Sequence, residues 1–283
     1  MIWYLIDEAV KNMDKKLLLC KESGITVNHS LTERPKDAGE MHTHDHYELY
    51  YFISGMCHYL VEGTRYSLKP GDIMLMRPLE AHKCVVLSPE IPYERIVCSF
   101  TDEFVRGICG DDSMLSVFGS RPLGVANHFS DIEFGHSLCS DSFQTLIRRE
   151  PNISRDELIA RIFLILSEAK RVTEHENTNT RSKTTANQVI DYVNSNLYSP
   201  LSLEILSKEF FLSKSQINRI FKENTGSSVG RYVAIKRLLF ARQLIRSGES
   251  VATAASKCGY RDYSVFYRAY KNQFGISPLK NRR

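Results

Sequence analysis

No apolar run in this chain of 283 residues approaches the roughly 20 residues that a membrane-spanning helix requires. The N-terminal stretch MIWYLIDEAVKNMDKK lacks a basic leader and a small-residue cleavage site, and acidic residues interrupt it, so no signal peptide is expected. These absences lead to the expectation of a soluble, cytoplasmic protein with no membrane partner. The seven cysteines (Cys20, Cys57, Cys84, Cys98, Cys109, Cys139 and Cys258) are odd in number and contain no C-x-x-C pair. That spacing offers neither a disulfide framework nor a thiolate zinc site, which leaves buried free thiols. A nucleophile elbow, a GxxxxGK[ST] loop and an HExxH helix are missing as well, so the common routes to hydrolysis and nucleotide chemistry are closed and no enzyme is expected.

What the chain does have is an uneven charge distribution. From Thr184 onward there are 16 Lys and Arg against 6 Asp and Glu, whereas the preceding residues carry 21 against 27. A basic block beside an acidic one points to a polyanion as partner of the C-terminal part, although a charge run by itself is often only a solvated face. With 42% apolar residues the chain is long enough for two domains.

Residues 14–100 have β texture, short alternating runs punctuated by VEGTR, KPGD and LSPEIP, which suggests a sandwich or barrel. Helical periodicity begins after Phe100. In SRDELIARIFLILSEAKRV, Leu158, Ile162, Ile165, Leu166 and Ala169 form one face, widened by Ile159 and Phe163. Its partner is either the barrel or the same helix of a second chain. Residues 173–184, TEHENTNTRSKT, contain no large apolar side chain and read as a linker. The expected organisation is therefore 1–172, a sensor and dimerisation domain; 173–183, the linker; and 184–283, a helical domain.

The helical domain contains a repeat. SKSQINRIFKENTG (213–226) recurs as RDYSVFYRAYKNQFG at a shift of 49, which aligns Ile217 with Phe266, Arg219 with Arg268, Phe221 with Tyr270, Lys222 with Lys271 and Gly226 with Gly275. Each copy follows a shorter helix, SLEILSKEF or SVATAASKC, making two helix-turn-helix units. Between them the spacing predicts one helix from Val229 to Arg246. At ~1.5 Å per residue it spans roughly 27 Å, enough to hold the two second helices about one ~34 Å turn of B-DNA apart. Ile217, Ile220, Phe221, Phe266 and Tyr270 point inward. The opposite faces offer Ser215, Asn218 and Arg219, then Tyr263, Ser264, Tyr267 and Arg268 as candidate readers of base edges, since arginine grips guanine and asparagine adenine with paired hydrogen bonds. Lys222 and Lys271 suit phosphates.

From about Thr184 to Arg283 the chain resembles the DNA-binding domain of the AraC/XylS family of bacterial transcription regulators, through LSKSQINRIFKENTGSSVGRYVAIKRLLFARQLI and VATAASKCGYRDYSVFYRAYKNQFGISP. The resemblance implies two recognition helices in adjacent major grooves of an operator, base contacts at Ser215, Asn218, Arg219, Tyr263, Ser264 and Arg268, a homodimer, and RNA polymerase as partner of an activator. Ser207 stands where the family has a small alanine, which is expected to loosen the first unit, and Asn281 replaces a tyrosine of the closing motif.

The stretch MHTHDHYELYYF places His42, His44, His46 and Glu48 at alternate positions, with Tyr50 and Phe52 continuing, which reads as one face of a strand. HTHDHYELYYFISG resembles the first cupin motif, H-x-H-x3-E-x6-G, at His42, His44, Glu48 and Gly55. PGDIMLMRPLEAH resembles the second and supplies His82, with Glu80 where that motif has glycine. The whole is thus expected to be an α+β two-domain protein: a cupin-like β-barrel with following helices, and an all-α domain of two helix-turn-helix units joined by a long helix. Three roles stay open for the histidines. His42, His44, Glu48, Tyr50 and His82 could line the pocket of a small-molecule effector; His42, His44, Glu48 and His82 could hold a divalent metal, although no cofactor is required; or they could form a satisfied polar cluster. The leading expectation is an effector-responsive transcription regulator. The alternatives are a metal-dependent cupin enzyme fused to a DNA-binding module, and an architectural DNA binder without effector.

Overall fold

A computed structural model describes residues 14–22, 24–35, 41–119, 121–133, 138–148, 153–175 and 184–282. The N-terminal half is built from β1 (Asp14–Glu22), β2 (Ile25–Thr32), β3 (Tyr47–Ser54), β4 (Cys57–Val61), β5 (Thr64–Ser67), β6 (Ile73–Met76), β7 (His82–Val86) and β8 (Tyr93–Phe100). Then come α1 (Asp102–Cys109), α2 (Ser116–Gly119), β9 (His128–Phe129), α3 (Leu138–Arg148) and α4 (Arg155–His175). A six-stranded sheet in the order β1-β2-β8-β3-β6-β9 faces a three-stranded sheet, β5-β4-β7, and every pairing among them is antiparallel.

Period-two alternation along β3 separates two cores. Leu49 and Tyr51 leave the large sheet on its outer side and meet Leu158, Ile162, Ile165, Leu166 and Ala169 of α4 in one buried cluster. Tyr51 stacks on Phe143 of α3 at 3.9 Å. Each such side chain contributes about 1.5–3 kcal/mol on burial. The apolar stripe of α4 is thereby spent on its own barrel, which removes it as the dimer seam that periodicity alone also allowed. Tyr50 and Phe52 point the other way, between the sheets, into a cluster with Tyr59, Met74, Met76, Cys84 and Tyr93. Gly55 lies at φ 121°, where a Cβ would come within 3.3 Å of the Pro92 carbonyl and of Tyr93. The turn into β4 therefore needs glycine.

Glu80, the residue in place of a motif glycine, is a structural anchor. Its carboxylate accepts from Arg121 Nη1 (2.8 Å) and Nη2 (3.0 Å), the Gly124 amide (2.9 Å), Asn127 Nδ2 (2.9 Å) and the Arg77 amide (3.1 Å). Burial pushes this carboxyl up, but the Arg121 charge and the hydrogen bonds outweigh it and hold the group at about 2.

The C-terminal half runs α5 (Thr185–Ser195), α6 (Leu203–Phe210), α7 (Lys214–Thr225), α8 (Val229–Arg246), α9 (Val251–Lys257) and α10 (Tyr263–Phe274), closed by a 3-10 turn, Pro278–Arg282, that contains Asn281. Its helix ends are written in the sequence. Thr184, Ser202, Ser213, Ser228, Ser250 and Asp262 each accept a hydrogen bond from a first-turn amide, and Ser213 with Gln216 forms a capping box. Gly226 and Gly275 end α7 and α10 in the left-handed region. Helix α8 has the boundaries expected from its spacing. Helix α4 runs to His175, three residues into the segment expected as linker, and residues 176–183 lie outside the described residues. Ser207 does not leave its unit loose: its hydroxyl donates to the Leu212 carbonyl while the Leu212 amide donates to the Ser207 carbonyl (3.2 Å), so the turn between α6 and α7 is tied from both sides.

Candidate functional site

Two faces of the molecule carry the residues singled out by sequence. On the helical domain, Ile217 and Phe221 of α7 and Phe266 and Tyr270 of α10 are buried, with Ile220 half-buried, which turns the opposite helix faces outward. Ser215, Arg219 and Lys222 are exposed on α7, as are Tyr263, Ser264, Arg268 and Lys271 on α10. Tyr267 is half-buried. Asn218 is half-buried as well, and its Oδ1 accepts the Val229 amide at the start of α8 (3.4 Å), so its carbonyl serves the α7–α8 corner. The Arg268 guanidinium rests on the Ser264 carbonyl of its own helix (3.3 Å). Both outward faces are joined by the single helix α8, and a cleft of about 910 Å³ between the units is lined by Ser202, Arg237, Ser256, Arg261 and Tyr263.

The second face is the mouth of the barrel. The alternation in MHTHDHYELYYF is not a strand throughout: β3 begins at Tyr47, His42 pairs with His82 as an isolated antiparallel bridge, and Asp45 and His46 form a bend. The Leu79 amide donates to the His44 carbonyl (2.9 Å), which pulls the segment away from the β3 ladder and onto the turn leading into β7. The side chains still converge. The rings of His42 and His82 lie 4.4 Å apart, those of His44 and His82 4.8 Å, and His46 stacks on His44 at 3.8 Å. Glu48 is buried beneath them, with Oε2 3.3 Å from His44 Nε2 and Oε1 3.8 Å from His82 Nε2. Burial drives His82 down to about 3, against the pull of Glu48, so that ring is neutral at pH 7. The Glu48 carboxyl, pushed up by burial, is brought down to about 2 by the His44 hydrogen bond and the surrounding imidazoles, so it is ionised. Tyr50 does not join this cluster. It is packed inside the barrel, with its hydroxyl 2.6 Å from that of Tyr93.

Sequence reasoning missed a third feature, a buried polar contact between the halves. Glu62, in the β4–β5 turn at φ 49°, has no exposed surface. Its Oε1 accepts from the Ala81 amide (2.7 Å) and from Lys236 Nζ of α8 (2.6 Å). Its Oε2 accepts from Asn194 Nδ2 of α5 (3.0 Å) and from the Tyr232 hydroxyl. Nearby, Asp45 Oδ2 lies 3.3 Å from Arg242 and 3.1 Å from Arg246, at the far end of α8. Beside that contact a cavity of about 400 Å³ is lined by Asp45, Tyr47, Asp102, Arg106, Gln243 and Arg246. One signal was available: Lys236 falls on the stripe Val229, Tyr232, Val233, Leu239, where a lysine has to find a buried partner. Nothing near Glu62 in the sequence announces its role.

Comparisons with known proteins agree with this layout. Residues 32–177 match the family described as the AraC-like ligand binding domain, and residues 206–283 match a helix-turn-helix domain. Over 99 residues, 35% of this chain and 78% of the relative, the chain is 34% identical to the multiple antibiotic resistance protein MarA of Escherichia coli (strain K12). It is 23% identical to the Msm operon regulatory protein of Streptococcus mutans, covering 84% of each chain. It is 24% identical to the HTH-type transcriptional activator RhaS of Escherichia fergusonii, covering 88% of this chain and 89% of that one.

Proposed function

The chain belongs to the AraC-type regulators, with their ligand-binding domain followed by their helix-turn-helix domain, and from this we infer that it is a sequence-specific DNA-binding transcription regulator that responds to a small-molecule effector bound by its N-terminal half. The observation that carries the reading is the duplicated unit on α8, with Arg219 and Arg268 exposed at matching positions of the two copies. Ser215, Arg219, Tyr263, Ser264 and Arg268 read base edges, Asn218 and Tyr267 border them, and Lys222 and Lys271 hold phosphates. The division into 1–172, a linker at 173–183 and 184–283 follows the same logic, with the effector received at the mouth formed by His42, His44, Glu48 and His82.

Signal passes between the halves through Glu62, Lys236, Tyr232 and Asn194. An effector shifts DNA affinity only by binding the two arrangements of this contact unequally. The protein works in the cytoplasm as a homodimer on paired operator sites, and where it activates, RNA polymerase is its further partner. Among the described residues no helix is long and apolar enough to cross a membrane.

The test is a footprint of the purified full chain on the DNA upstream of its own gene, with guanine-N7 methylation interference to report the major groove. Two protected patches about one turn apart, each lost on pre-methylation, support the reading. Protection confined to backbone contacts on any sequence, abolished evenly by salt, contradicts it.

A further inference from the structure

Strand register brings two of the free cysteines together. In the pairing of β4 with β7, Cys57 stands opposite Val86 and Tyr59 opposite Cys84, so Cys57 and Cys84 are diagonal neighbours on the face that lines the barrel interior. The Cys57 thiol donates to Cys84 Sγ, and the Tyr93 hydroxyl donates to the same sulfur at 3.2 Å. The Tyr50 hydroxyl supports that of Tyr93 at 2.6 Å, and the Arg95 guanidinium lies 4.5 Å over the Tyr93 ring. Cys84 is thus a sulfur that accepts from two donors near a cation, with a second thiol in contact. Cys98 and Cys258, by contrast, are packed in separate apolar cores.

A sulfur with donors, a cation and a resolving thiol around it is one that a peroxide oxidises, provided that the oxidant reaches it. Cys57 and Cys84 are 4% and 7% exposed, so neither is sealed. Arg95, Val97 and Ser99 share the inward face of β8 with Tyr93 and are only half-buried. That side of the interior is open to a solute as small as hydrogen peroxide.

We propose that hydrogen peroxide converts Cys57 and Cys84 into a reversible disulfide, and that this bond changes DNA binding; the second half of the statement rests on the regulator reading above. Cys84 Sγ attacks one peroxide oxygen. The O–O bond breaks, an S–O bond forms, and the other oxygen leaves as water. The Cys57 sulfur then attacks the sulfenic sulfur, an S–S bond forms as the S–O bond breaks, and the hydroxyl leaves with the Cys57 proton as a second water. Two thiols lose two electrons in all, and one peroxide gains them. Diagonal neighbours stand about 7–8 Å apart, beyond the Cα separation of about 4.4–6.8 Å that a disulfide spans, so closing the bond draws β4 and β7 together by about 1 Å. These two strands lead straight into the contact with the helical half. The Glu62 amide at the end of β4 donates to the carbonyl of Ala81 at the start of β7 (2.9 Å), Ala81 is packed in the first helix-turn-helix unit, and Glu62 holds Lys236 of α8.

The full chain is reduced, desalted, treated with hydrogen peroxide and blocked with an alkylating agent. Peptide mapping without reductant locates the bridges, and affinity for the footprinted duplex is read before oxidation, after it, and after dithiothreitol. The expected result is a Cys57–Cys84 peptide that dithiothreitol abolishes, with a reversible change in DNA affinity of roughly five-fold or more. In Cys57→Ser the reaction stops at a Cys84 sulfenic acid, trapped by dimedone, and the affinity no longer responds; in Cys84→Ser neither product forms. Two intact, alkylated thiols after peroxide, or intrachain bridges spread over several cysteine pairs, overturn the site. A Cys57–Cys84 bridge with unchanged DNA affinity overturns its control of DNA binding. A footprint without any bridge overturns the disulfide and leaves the regulator standing; a bridge without any footprint, reduced or oxidised, overturns the regulator and, with it, the control assigned to the bond.

Discussion

Ala81 of the barrel sits in the core of the first helix-turn-helix unit, among Ile190, Leu206, Ile217, Phe221 and Tyr232, with Met41 against the same cluster. The core of the second unit, Leu238, Ala241, Ile245, Val251, Ala254, Cys258, Phe266 and Tyr270 with its partly buried neighbours, takes no residue from the N-terminal half among the described residues. The repeat glycines show the same contrast. Gly226 and Gly275 end their helices at nearly the same φ, 69° and 70°, but a Cβ on Gly226 would meet Met41 at 2.8 Å and one on Gly275 would meet nothing within 4 Å. Two copies of one motif are thus attached differently. The first is built into the sensor, and the second touches it through the end of α8, where Arg242 and Arg246 reach Asp45. In the regulator proposed above, a signal from the N-terminal half has its most direct route through the first unit, whose core it shares.

The strongest way to break this asymmetry is at the buried pair. Lys236→Ala leaves Glu62 without its cation in the interior and is expected to cost about 3–5 kcal/mol in urea unfolding, whereas Lys257→Ala, whose partner Glu249 is near the surface of the second unit, costs under about 1 kcal/mol. Next come the readers. Arg219→Ala and Arg268→Ala are each expected to lose about 1–3 kcal/mol on the specific operator and to relax base preference at one position. Only the Arg219 loss should vary with the state of the sensor, which competition binding on single-base operator variants will show. The glycines sharpen the comparison further. Gly275→Ala carries the left-handed backbone cost of about 1–2 kcal/mol, and Gly226→Ala carries that plus displacement of Met41, so thermal unfolding should rank Gly226→Ala as the more damaging. The smallest effect is Lys222→Ala, which weakens binding evenly across sequences and lowers the slope of log K against log salt by about 1.

Legibility followed the range of the interactions. Helices α7, α8 and α10 could be bounded from the sequence because Ser213, Gly226, Ser228, Asp262 and Gly275 act on the turn next to them. The sheet could be sensed as β texture but not wired, since β3 pairs with β6 and β8 across long separations that no local pattern encodes. The histidine run shows the limit most clearly. Alternation of His42, His44, His46 and Glu48 satisfied the strand rule, yet a strand is fixed by its ladder, and backbone bonds to Leu79 and His82 took residues 42–46 out of β3. The residues still meet because bend and bridge return the rings to the carboxylate. Helical periodicity and the family resemblance both turn Asn218 outward, whereas the start of α8 claims its carbonyl. Glu62 was invisible because its partners Asn194, Tyr232 and Lys236 come from the other half of the chain.

The most direct test of the asymmetry is a hydroxyl-radical footprint of wild type and Glu62→Gln on the same operator, with the two protected patches assigned beforehand to α7 and α10 by Arg219→Ala and Arg268→Ala. The expected result is a larger change in the α7 patch than in the α10 patch, because Asn194, Tyr232 and Lys236, which hold Glu62, lie in α5 and the first half of α8. Patches that change together, or that both stay as in wild type while Glu62→Gln remains folded, would contradict it.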